Sequence, residues 1–553
     1  MRRPFARGKL RGTGDGPREA DAPPPSAADG TLAGARDRPG APSPAPTHRM
    51  PFAPQDLGPL FRGQFGDRRF VVVSNREPYE HRWSEEVGEV EVGRPAGGLT
   101  SALDPLMQAL GGTWVAWGSG EADAQAVDAG HRVRVPPEDP GYTLRRIWLT
   151  HHDVNRYYLG FSNQFLWPIC HLRPDLTRVR SRYWERYRRV NRRFAEAVLE
   201  EVSGNEAVVW FQDYHLALAP LLVRARRPGL ALAHFWHIPF PPYDVFRLAP
   251  QAGFLLRGML ANDLMGFHLA GFADNFLRCA AELAGATVDV EARTATLEGH
   301  TCHVGAFPIS IDVEQFRAAA TAPGAEAAME RLRARYAPGG GMVGVGVDRM
   351  DYSKGIPEKL KALELLWDRY PELRGRFTFV QVAVPSRSDI AAYDDLSQKV
   401  DEQVWRINER FGTAEWRPVH LLKQSLPPER LAVLYRMADV CIVSSLQDGM
   451  NLVAKEFVAS QTDTRGVLIL SRFAGAAEEM EGAVLVNPYD PESCALQIRD
   501  ALLLPHDERE RAMRRMQEGM ASIYDWMESY FTAWSAHAGE PSPEEGEGDA
   551  PGA

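Results

Sequence analysis

Cysteine is scarce in this sequence of 553 residues, which contains only Cys170, Cys279, Cys302, Cys441 and Cys494. The number is odd, the spacing is wide, and no Cys-x-x-Cys pair occurs. Disulfide frameworks and zinc sites use even or closely spaced sets of cysteines. The pattern argues against both, and it is typical of a protein of the reducing cytoplasm.

Long apolar runs and an excess of positive charge are also absent. No run approaches the ~20 residues that cross a bilayer, and no apolar region follows the basic N-terminus, as a secretory signal would require. The formal net charge is −10, which argues against a general nucleic-acid-binding surface. An anionic substrate would therefore need local basic pockets, because the chain as a whole repels it.

Metal-ligating motifs are missing as well. No Asp-x-Asp lies at a predicted strand end with further ligands near it, and histidine and cysteine do not cluster. Divalent cations need such convergent ligands. We therefore expect neither a metal nor a cofactor.

The length of the chain suits two domains with tails. Residues 1–60 and 538–553 are poor in large apolar side chains, which predicts disordered tails. We place a first domain at residues 61–310 and a second at residues 311–510. A last helix at residues 511–537 is expected to pack back on the first domain.

Short apolar runs alternate with helical patterns in both domains, as in parallel sheets that are covered on both faces. The predicted strands are residues 70–74, 208–211, 232–236 and 264–267 in the first set and 343–347, 377–384, 440–443 and 467–470 in the second. The fold class is therefore α/β, with two doubly wound, Rossmann-like domains. Because ligands bind at the carboxyl ends of such strands, the site is expected in a cleft between the domains.

Polar residues follow the strand ends of the first domain. Arg76 follows one strand, and Gly98 lies in a small glycine loop that either opens a phosphate-binding helix or is a plain turn. Asp213 and His237 follow two neighbouring strands, where each is a site residue or a satisfied structural group. We interpret His215 as structural.

Two cations follow the first strand of the second domain. Arg349 and Lys354 lie five residues apart beside a glycine turn. They can bind a diphosphate and neutralise the charge that grows on a leaving group, or they form a solvated pair. Arg387, after the next strand, is a weak signal by itself.

The segment from Asp448 to Glu456 carries the clearest pattern. A strand ends, Asp448 and a glycine form a turn, and a helix begins near Asn451, so that the amides of Met450, Asn451 and Leu452 can bind an anionic oxygen. Asp448 and Glu456 can accept hydrogen bonds from hydroxyl groups. The alternative is a capping aspartate and a surface glutamate.

These motifs, in this order, resemble the trehalose-6-phosphate synthases, retaining transferases of the two-domain GT-B architecture. The resemblance runs from about residue 69 to residue 531 and is carried by the segments 74–76, 96–98, 114–118, 158–167, 213–216, 237–241, 349–355, 386–387 and 448–456. It implies transfer of glucose from a nucleotide-glucose, with UDP favoured over GDP or ADP, to glucose 6-phosphate. The partners are then these small molecules, with neither nucleic acid nor membrane, and self-association into a homo-oligomer stays open.

The resemblance also implies roles for individual residues. The implied acceptor-binding residues come mostly from the first domain, with Arg387 from the second. They are Arg76, Trp117, Tyr158, Trp167, Asp213 and Arg387. The implied donor-binding residues are Gly98, His237, Arg349, Lys354, Asp448, Met450, Asn451, Leu452 and Glu456, of which Glu456 binds the ribose. Asp213, His237, Arg349 and Lys354 are the implied catalytic residues. The mechanism that the resemblance implies uses no protein nucleophile. The acceptor hydroxyl attacks on the face that the diphosphate leaves, and a diphosphate oxygen takes its proton.

The sequence departs from the usual pattern at two positions. Gln212 stands where histidine is common, and Gln447 stands where arginine is common. Residues 74–79 also resemble the glucosylglycerol-phosphate synthases, whose acceptor is glycerol 3-phosphate. Glycerol 3-phosphate as acceptor and a non-catalytic, sugar-phosphate-binding regulator are the two alternatives. A silent regulator should have lost donor residues, whereas Arg349, Lys354, Asp448 and Glu456 are all present.

Overall fold

The computed structural model describes residues 52–84, 88–95, 98–202, 204 and 206–538. Most of the predicted N-terminal tail and nearly all of the C-terminal one lie outside this part of the chain. Residues 54–60, which the sequence analysis assigned to a tail, instead form a 3₁₀ turn and the start of helix α1 (Leu57–Phe65). The reason is apolar packing, since Leu57 and Phe61 are buried.

The first half of the chain builds a ten-stranded sheet and a small hairpin. Its strands are β1 (Arg69–Arg76), β2 (Glu80–Ser84), β3 (Glu89–Gly93), β4 (Thr113–Trp117), β5 (Arg132–Val135), β6 (Tyr142–Ile147), β7 (Ala207–Gln212), β8 (Ala231–Phe235), β9 (Leu264–Phe267), β10 (Thr287–Asp289), β11 (Thr294–Leu297) and β12 (His300–Ala306). The sheet order is β10-β11-β12-β9-β8-β7-β1-β4-β6-β5, and β2 pairs with β3.

The central strands of this sheet are parallel and buried on both faces, as the apolar runs predict. In β1, Val71 pairs with Thr113 of β4 on one side and with Val209 of β7 on the other. Antiparallel pairing is confined to the edges, at β5–β6 and β10–β11–β12. The carboxyl ends of β1, β4, β7 and β8 therefore meet at one edge.

Helices cover both faces of the first sheet. After α1 they are α2 (Gly98–Leu110), α3 (His151–Asp153), α4 (Trp167–Cys170), α5 (Ser181–Glu201), α6 (Ala219–Arg224), α7 (Tyr243–Phe246), α8 (Ala252–Met259) and α9 (Ala270–Cys279). A π-helical stretch, Val154–Leu166, joins α3 to α4. Its wider turn brings Tyr158 to the cleft while Tyr157 is buried, and π-helical turns are frequent at functional sites.

The second half builds a six-stranded parallel sheet. Its strands are β13 (Met342–Arg349), β14 (Phe377–Val384), β15 (Val419–Leu422), β16 (Val440–Val443), β17 (Val467–Ser471) and β18 (Val484–Val486), in the order β15-β14-β13-β16-β17-β18. Its helices are α10 (Val313–Thr321), α11 (Ala325–Tyr336), α12 (Ile356–Arg369), α13 (Ala391–Phe411), α14 (Pro428–Met437), α15 (Leu452–Ser460) and α16 (Pro491–Leu503). Two doubly wound sheets confirm the predicted fold class.

The end of the chain forms two helices, α17 (His506–Glu518) and α18 (Ile523–His537), where one was predicted. Ser522 starts the second helix with a capping box, because its side chain accepts from the amide of Asp525 and the Asp525 carboxylate accepts from Ser522. Helix α18 packs on the first sheet, with the ring of Tyr530 stacked on that of Trp210 at 4.9 Å. No helix in the described ranges is long and apolar enough to span a membrane.

Candidate active site

A cleft of about 750 Å³ lies between the two sheets, at the carboxyl ends of their strands. Nearly every predicted site residue lines it: Arg76, Trp117, Tyr158, Trp167, Asp213, His237, Arg349, Lys354, Arg387, Asp448, Met450, Asn451, Leu452 and Glu456. Gly98 is the first residue of α2, and Thr100 of the same helix also lines the cleft. The structure thus gathers side chains that lie up to 380 positions apart in the sequence.

Arg76 and Tyr158 form the first-sheet wall. A guanidinium nitrogen of Arg76 donates to the Tyr158 hydroxyl at 3.2 Å, and the Tyr158 ring stacks on His215 with centroids 5.8 Å apart. Burial raises the pKa of Tyr158, but the charges of Arg76 and Arg387 outweigh it and lower this pKa to about 8. The wall is therefore cationic, and the predicted structural His215 is a buried ring behind it that also borders the cleft.

Arg387 reaches this wall from the second sheet. Its guanidinium lies 4.1 Å from the ring centroid of Trp167 and donates to the Asp351 carboxylate at 3.0 Å and to the Tyr393 hydroxyl at 2.6 Å. A buried cation requires such a charge partner. Arg76 and Arg387 thus place two positive groups around one aromatic enclosure that can bind an anion.

A second cationic group, Arg349 and Lys354, also lines the cleft. Arg349, at the end of β13, lies over the ring of Trp167 at 5.3 Å. The Lys354 ammonium contacts Asp448 Oδ2 at 2.5 Å. Burial raises the pKa of Asp448, but Lys354 outweighs it and lowers this pKa to about 2. The carboxylate is therefore fixed in its charged, accepting form.

Helix α15 points its N-terminus at the cleft. Asn451 caps it, since its side-chain oxygen accepts from the amide of Ala454 at 3.2 Å. A helix N-terminus with positive backbone amides favours an anion. Further along, Glu456 accepts from the Tyr435 hydroxyl at 2.9 Å, and burial raises the pKa of Glu456 to about 7.

Asp213 and His237 lie on neighbouring strand ends, as predicted. Oδ1 of Asp213 accepts from the backbone amide of His237 at 3.2 Å, and burial raises the pKa of Asp213 to about 7. Gly449, from the second sheet, approaches so closely that a Cβ there would lie 2.6 Å from the carbonyl oxygen of His237. The two halves of the molecule therefore touch at this point of the cleft.

Three of the residues in the cleft have a backbone φ in the left-handed region: Asp213 at 68°, Arg387 at 49° and Asn451 at 80°. Residues other than glycine rarely adopt this region, which costs about 1–3 kcal/mol, and such strain is found mostly at functional positions. For Asp213, ψ is 172°, a combination that is almost confined to glycine. The fold maintains these conformations where the side chains must face the cleft.

Several residues that complete the candidate site are not among those predicted from the sequence. Asp351 and Tyr393 hold Arg387. Tyr214 extends the aromatic enclosure, because its ring centroid lies 5.8 Å from that of Trp167. Asp351 stands in the same glycine-rich segment as Arg349 and Lys354, so its charge was a usable signal. Tyr393 had none, because it belongs to the apolar stripe of α13 that indicates core packing.

The described part of the chain holds no group of three or more histidine, cysteine, aspartate or glutamate side chains that could bind a metal ion. The positive charge in the cleft comes from Arg76, Arg349, Lys354, Arg387 and the start of α15. Two doubly wound lobes that face each other across such a cleft define a glycosyltransferase of the GT-B class. The sequence model of glycosyltransferase family 20 matches residues 68–535, and the chain belongs to this family.

Curated relatives and solved structures agree with this family. The α,α-trehalose-phosphate synthase (UDP-forming) 2 of Aspergillus fumigatus is 36% identical over 486 residues, which cover 85% of this chain and 96% of that protein. The 56 kDa subunit of the Saccharomyces cerevisiae enzyme is 36% identical, with 80% and 88% covered.

Two solved structures, each 32% identical with a TM-score of 0.75, cover 84% of this chain and 99% of their own. One, from E. coli, is bound with UDP-2-fluoro glucose. The other, an α,α-trehalose-phosphate synthase (UDP-forming) from Burkholderia xenovorans, is in complex with glucose-6-phosphate.

Proposed function

We propose that the protein transfers glucose from UDP-glucose to glucose 6-phosphate, with retention of configuration, and releases α,α-trehalose 6-phosphate and UDP. The observation that carries the proposal is the pair of cationic groups in one cleft, Arg349 with Lys354 and Arg76 with Arg387. A nucleotide-sugar and a sugar phosphate each bring an anionic group. The relatives named as UDP-forming trehalose-phosphate synthases support this choice of donor and acceptor.

The donor is proposed to bind mainly to residues of the second half, with His237 and Gly98 added from the first half. Arg349, Lys354 and the amides at Met450, Asn451 and Leu452 bind the diphosphate, while Glu456 accepts hydrogen bonds from the ribose hydroxyls. Asp448 and His237 contact the hydroxyls of the glucose, and Gly98 lies near the diphosphate. As the bond to glucose breaks, the two cations stabilise the charge that develops on the leaving UDP.

The acceptor is proposed to bind mainly to residues of the first half, with Arg387 added from the second half. Arg76, Tyr158 and Arg387 bind the phosphate, with Trp167 under the guanidinium of Arg387. Trp117 and Asp213 complete this side of the site. The acceptor hydroxyl then attacks on the face that the diphosphate leaves, and a diphosphate oxygen accepts its proton.

We further propose that the reaction needs no divalent metal, because Arg349, Lys354 and the start of α15 can supply the positive charge at the leaving group. A cytoplasmic location is proposed from the five cysteines, all of which are free and buried. Both proposals are independent of the choice of acceptor.

The test is a donor and acceptor screen with product identification by NMR. Purified protein, with EDTA present throughout, is mixed with UDP-, GDP- or ADP-glucose and with glucose 6-phosphate or glycerol 3-phosphate. We expect UDP release that depends on glucose 6-phosphate and an α,α-linked product. Equal or faster release with glycerol 3-phosphate would assign the alternative acceptor, and tight sugar-phosphate binding without any turnover would indicate the regulator.

A further inference from the structure

Gln212 lines the cleft beside His237 and is not among the predicted site residues. It is the last residue of β7, fully buried, and pairs with Phe235 of β8. Its side-chain Oε1 lies 2.9 Å from Nε2 of His237. An amide oxygen only accepts hydrogen bonds, so this contact requires a proton on Nε2.

The surroundings of His237 keep its imidazole neutral. Burial lowers the pKa of His237 well below its ordinary value, and the neighbouring His234 and His268 lower it further. The ring packs against Phe235 with centroids 4.6 Å apart. A neutral imidazole carries only one proton. With this proton on Nε2, the other ring nitrogen, Nδ1, has a free lone pair.

This arrangement selects the kind of contact that the ring can make. His237 borders the cleft, and its Nε2 is occupied by Gln212. Nδ1 is therefore the ring nitrogen that is left for a substrate, and as an acceptor it suits a hydroxyl group and does not suit a carbonyl or phosphate oxygen.

We propose that Gln212 is a positioning residue that holds the proton of His237 on Nε2, so that Nδ1 accepts a hydrogen bond from a hydroxyl of the donor glucose. The second half of this statement rests on the proposed function, whereas the tautomer itself does not. The amide nitrogen of Gln212 is buried and has no partner among the described residues. An isolated buried donor is costly, so hydrogen bonding within the fold does not by itself account for the amide of Gln212.

The first experiment reads the tautomer without turnover. Full-length protein with ¹⁵N-labelled histidine is compared with the His237→Gln variant, so that the His237 signals are assigned by difference. We expect the ring of His237 to be protonated on Nε2 in the wild type and to become a mixture of tautomers in Gln212→Met, which removes the acceptor at similar volume. A proton on Nδ1 in the wild type, or an unchanged tautomer in Gln212→Met, would overturn the proposal.

The second experiment separates the KM values of donor and acceptor. Gln212→Met is expected to raise the KM for UDP-glucose about 10-fold, the effect of losing about 1.4 kcal/mol, with the KM for glucose 6-phosphate unchanged. Gln517→Met, which removes an amide of α17 that bonds to Val458, is the matched control and should change neither KM. If the wild type transfers glucose and the KM of Gln212→Met for UDP-glucose is unchanged, this inference is refuted and the proposed function is left intact.

A third variant keeps the proposal testable if Gln212→Met does not fold. Gln212→Glu retains an acceptor, but its negative charge stabilises the imidazolium of His237. The carboxylate of Asp213 is also nearby, whereas His234 and His268 act in the opposite direction. The ratio of its KM for UDP-glucose to the wild-type KM, measured at the same pH, should be close to 1 at high pH. This ratio should rise as the pH falls, because Nδ1 of His237 becomes protonated. A ratio that is independent of pH would contradict the assigned role of Nδ1.

Discussion

Lys354 and Asp448 are 94 positions apart in the sequence, yet the Lys354 ammonium lies 2.5 Å from Oδ2 of Asp448. The same oxygen also accepts from Ser445 at 3.0 Å and from Asn451 at 3.1 Å. The cation proposed for the diphosphate is thus paired with the carboxylate proposed for the glucose. In the proposed function, the diphosphate and the glucose of the donor are therefore bound by two side chains that constrain each other.

This pairing predicts non-additive stability. Lys354→Met alone leaves the largely buried Asp448 carboxylate without its cation and is expected to cost about 3–5 kcal/mol of unfolding free energy. The double variant Lys354→Met/Asp448→Asn should recover much of this loss, because no uncompensated charge remains. Urea unfolding of the two single variants and the double variant measures the coupling. Strict additivity would show that the contact is not an ion pair in solution.

Arg349 is predicted to act on turnover and not on folding. Its side chain is exposed to the cleft, so Arg349→Ala should leave the melting temperature nearly unchanged. Loss of one charge-stabilising group at the leaving diphosphate is expected to lower kcat by about 10²–10³-fold. Steady-state UDP release at saturating substrates measures this, with Arg349→Lys as the charge-retaining control. A kcat within threefold of wild type would contradict the assignment.

Arg387 is predicted to determine the affinity for the acceptor. Arg387→Ala would also leave Asp351 unpaired, so the informative variant is Arg387→Ala/Asp351→Asn, compared with Asp351→Asn alone. We expect the KM for glucose 6-phosphate to rise at least about 10-fold, because a charged hydrogen bond is worth about 1.5–3 kcal/mol. The KM for UDP-glucose should stay the same. If the acceptor KM does not change, the acceptor phosphate lies elsewhere.

The raised pKa of Glu456 leads us to expect that the stability of the protein depends on pH. Its pKa is raised from 4.5 to about 7 in the folded protein, so between these values the folded state holds a proton that the unfolded chain has lost. The contribution of Glu456 to stability is therefore full below about pH 4.5 and is lost as the pH rises through 7. Glu456→Gln cannot ionise, and its stability relative to wild type should increase from pH 5 to pH 8. Thermal unfolding at several pH values measures the difference, and a constant difference would exclude the raised pKa.

The packing of Trp534 indicates that α18 stabilises the first half of the molecule. This fully buried ring of α18 packs against Phe65 of α1 with centroids 5.0 Å apart. Trp534→Ala should lower the unfolding free energy by about 3–5 kcal/mol. The exposed Trp405 of α13 offers a matched control whose replacement by alanine should cost little. Denaturant unfolding of both variants, followed by circular dichroism, tests the expectation.

Much of the fold could be predicted from the sequence, because buried parallel strands are short apolar runs. Strands β14 and β16 coincide with the predicted residues 377–384 and 440–443, and the stripe from Tyr393 to Phe411 is the buried face of α13. Strand β4 was missed although Thr113–Trp117 is apolar, and the edge strands β10 and β11 were missed because they are short and partly exposed. Edge strands lack the continuous apolar pattern that indicates burial on both faces.

The lining of the candidate site could be predicted where polar residues follow strand ends, as at Asp213 and Arg349. It was not predictable where function depends on a contact across the sequence. Nothing local indicates that Arg387 donates to Asp351 or that Gln212 contacts His237, since these pairs form only when strands from separate segments lie side by side. The π-helical stretch around Tyr158 was likewise missed, because its sequence does not differ from that of an ordinary amphipathic helix.

The position of α18 also has a consequence for the order in which the chain folds. Trp210 of β7 is covered by Trp526, Tyr530 and Phe531, more than 300 residues later in the sequence. During synthesis this face of the first sheet stays uncovered until the ribosome has made nearly the whole protein. The N-terminal half is therefore expected to leave the ribosome with this apolar face exposed, and truncation before residue 523 should destabilise the first sheet.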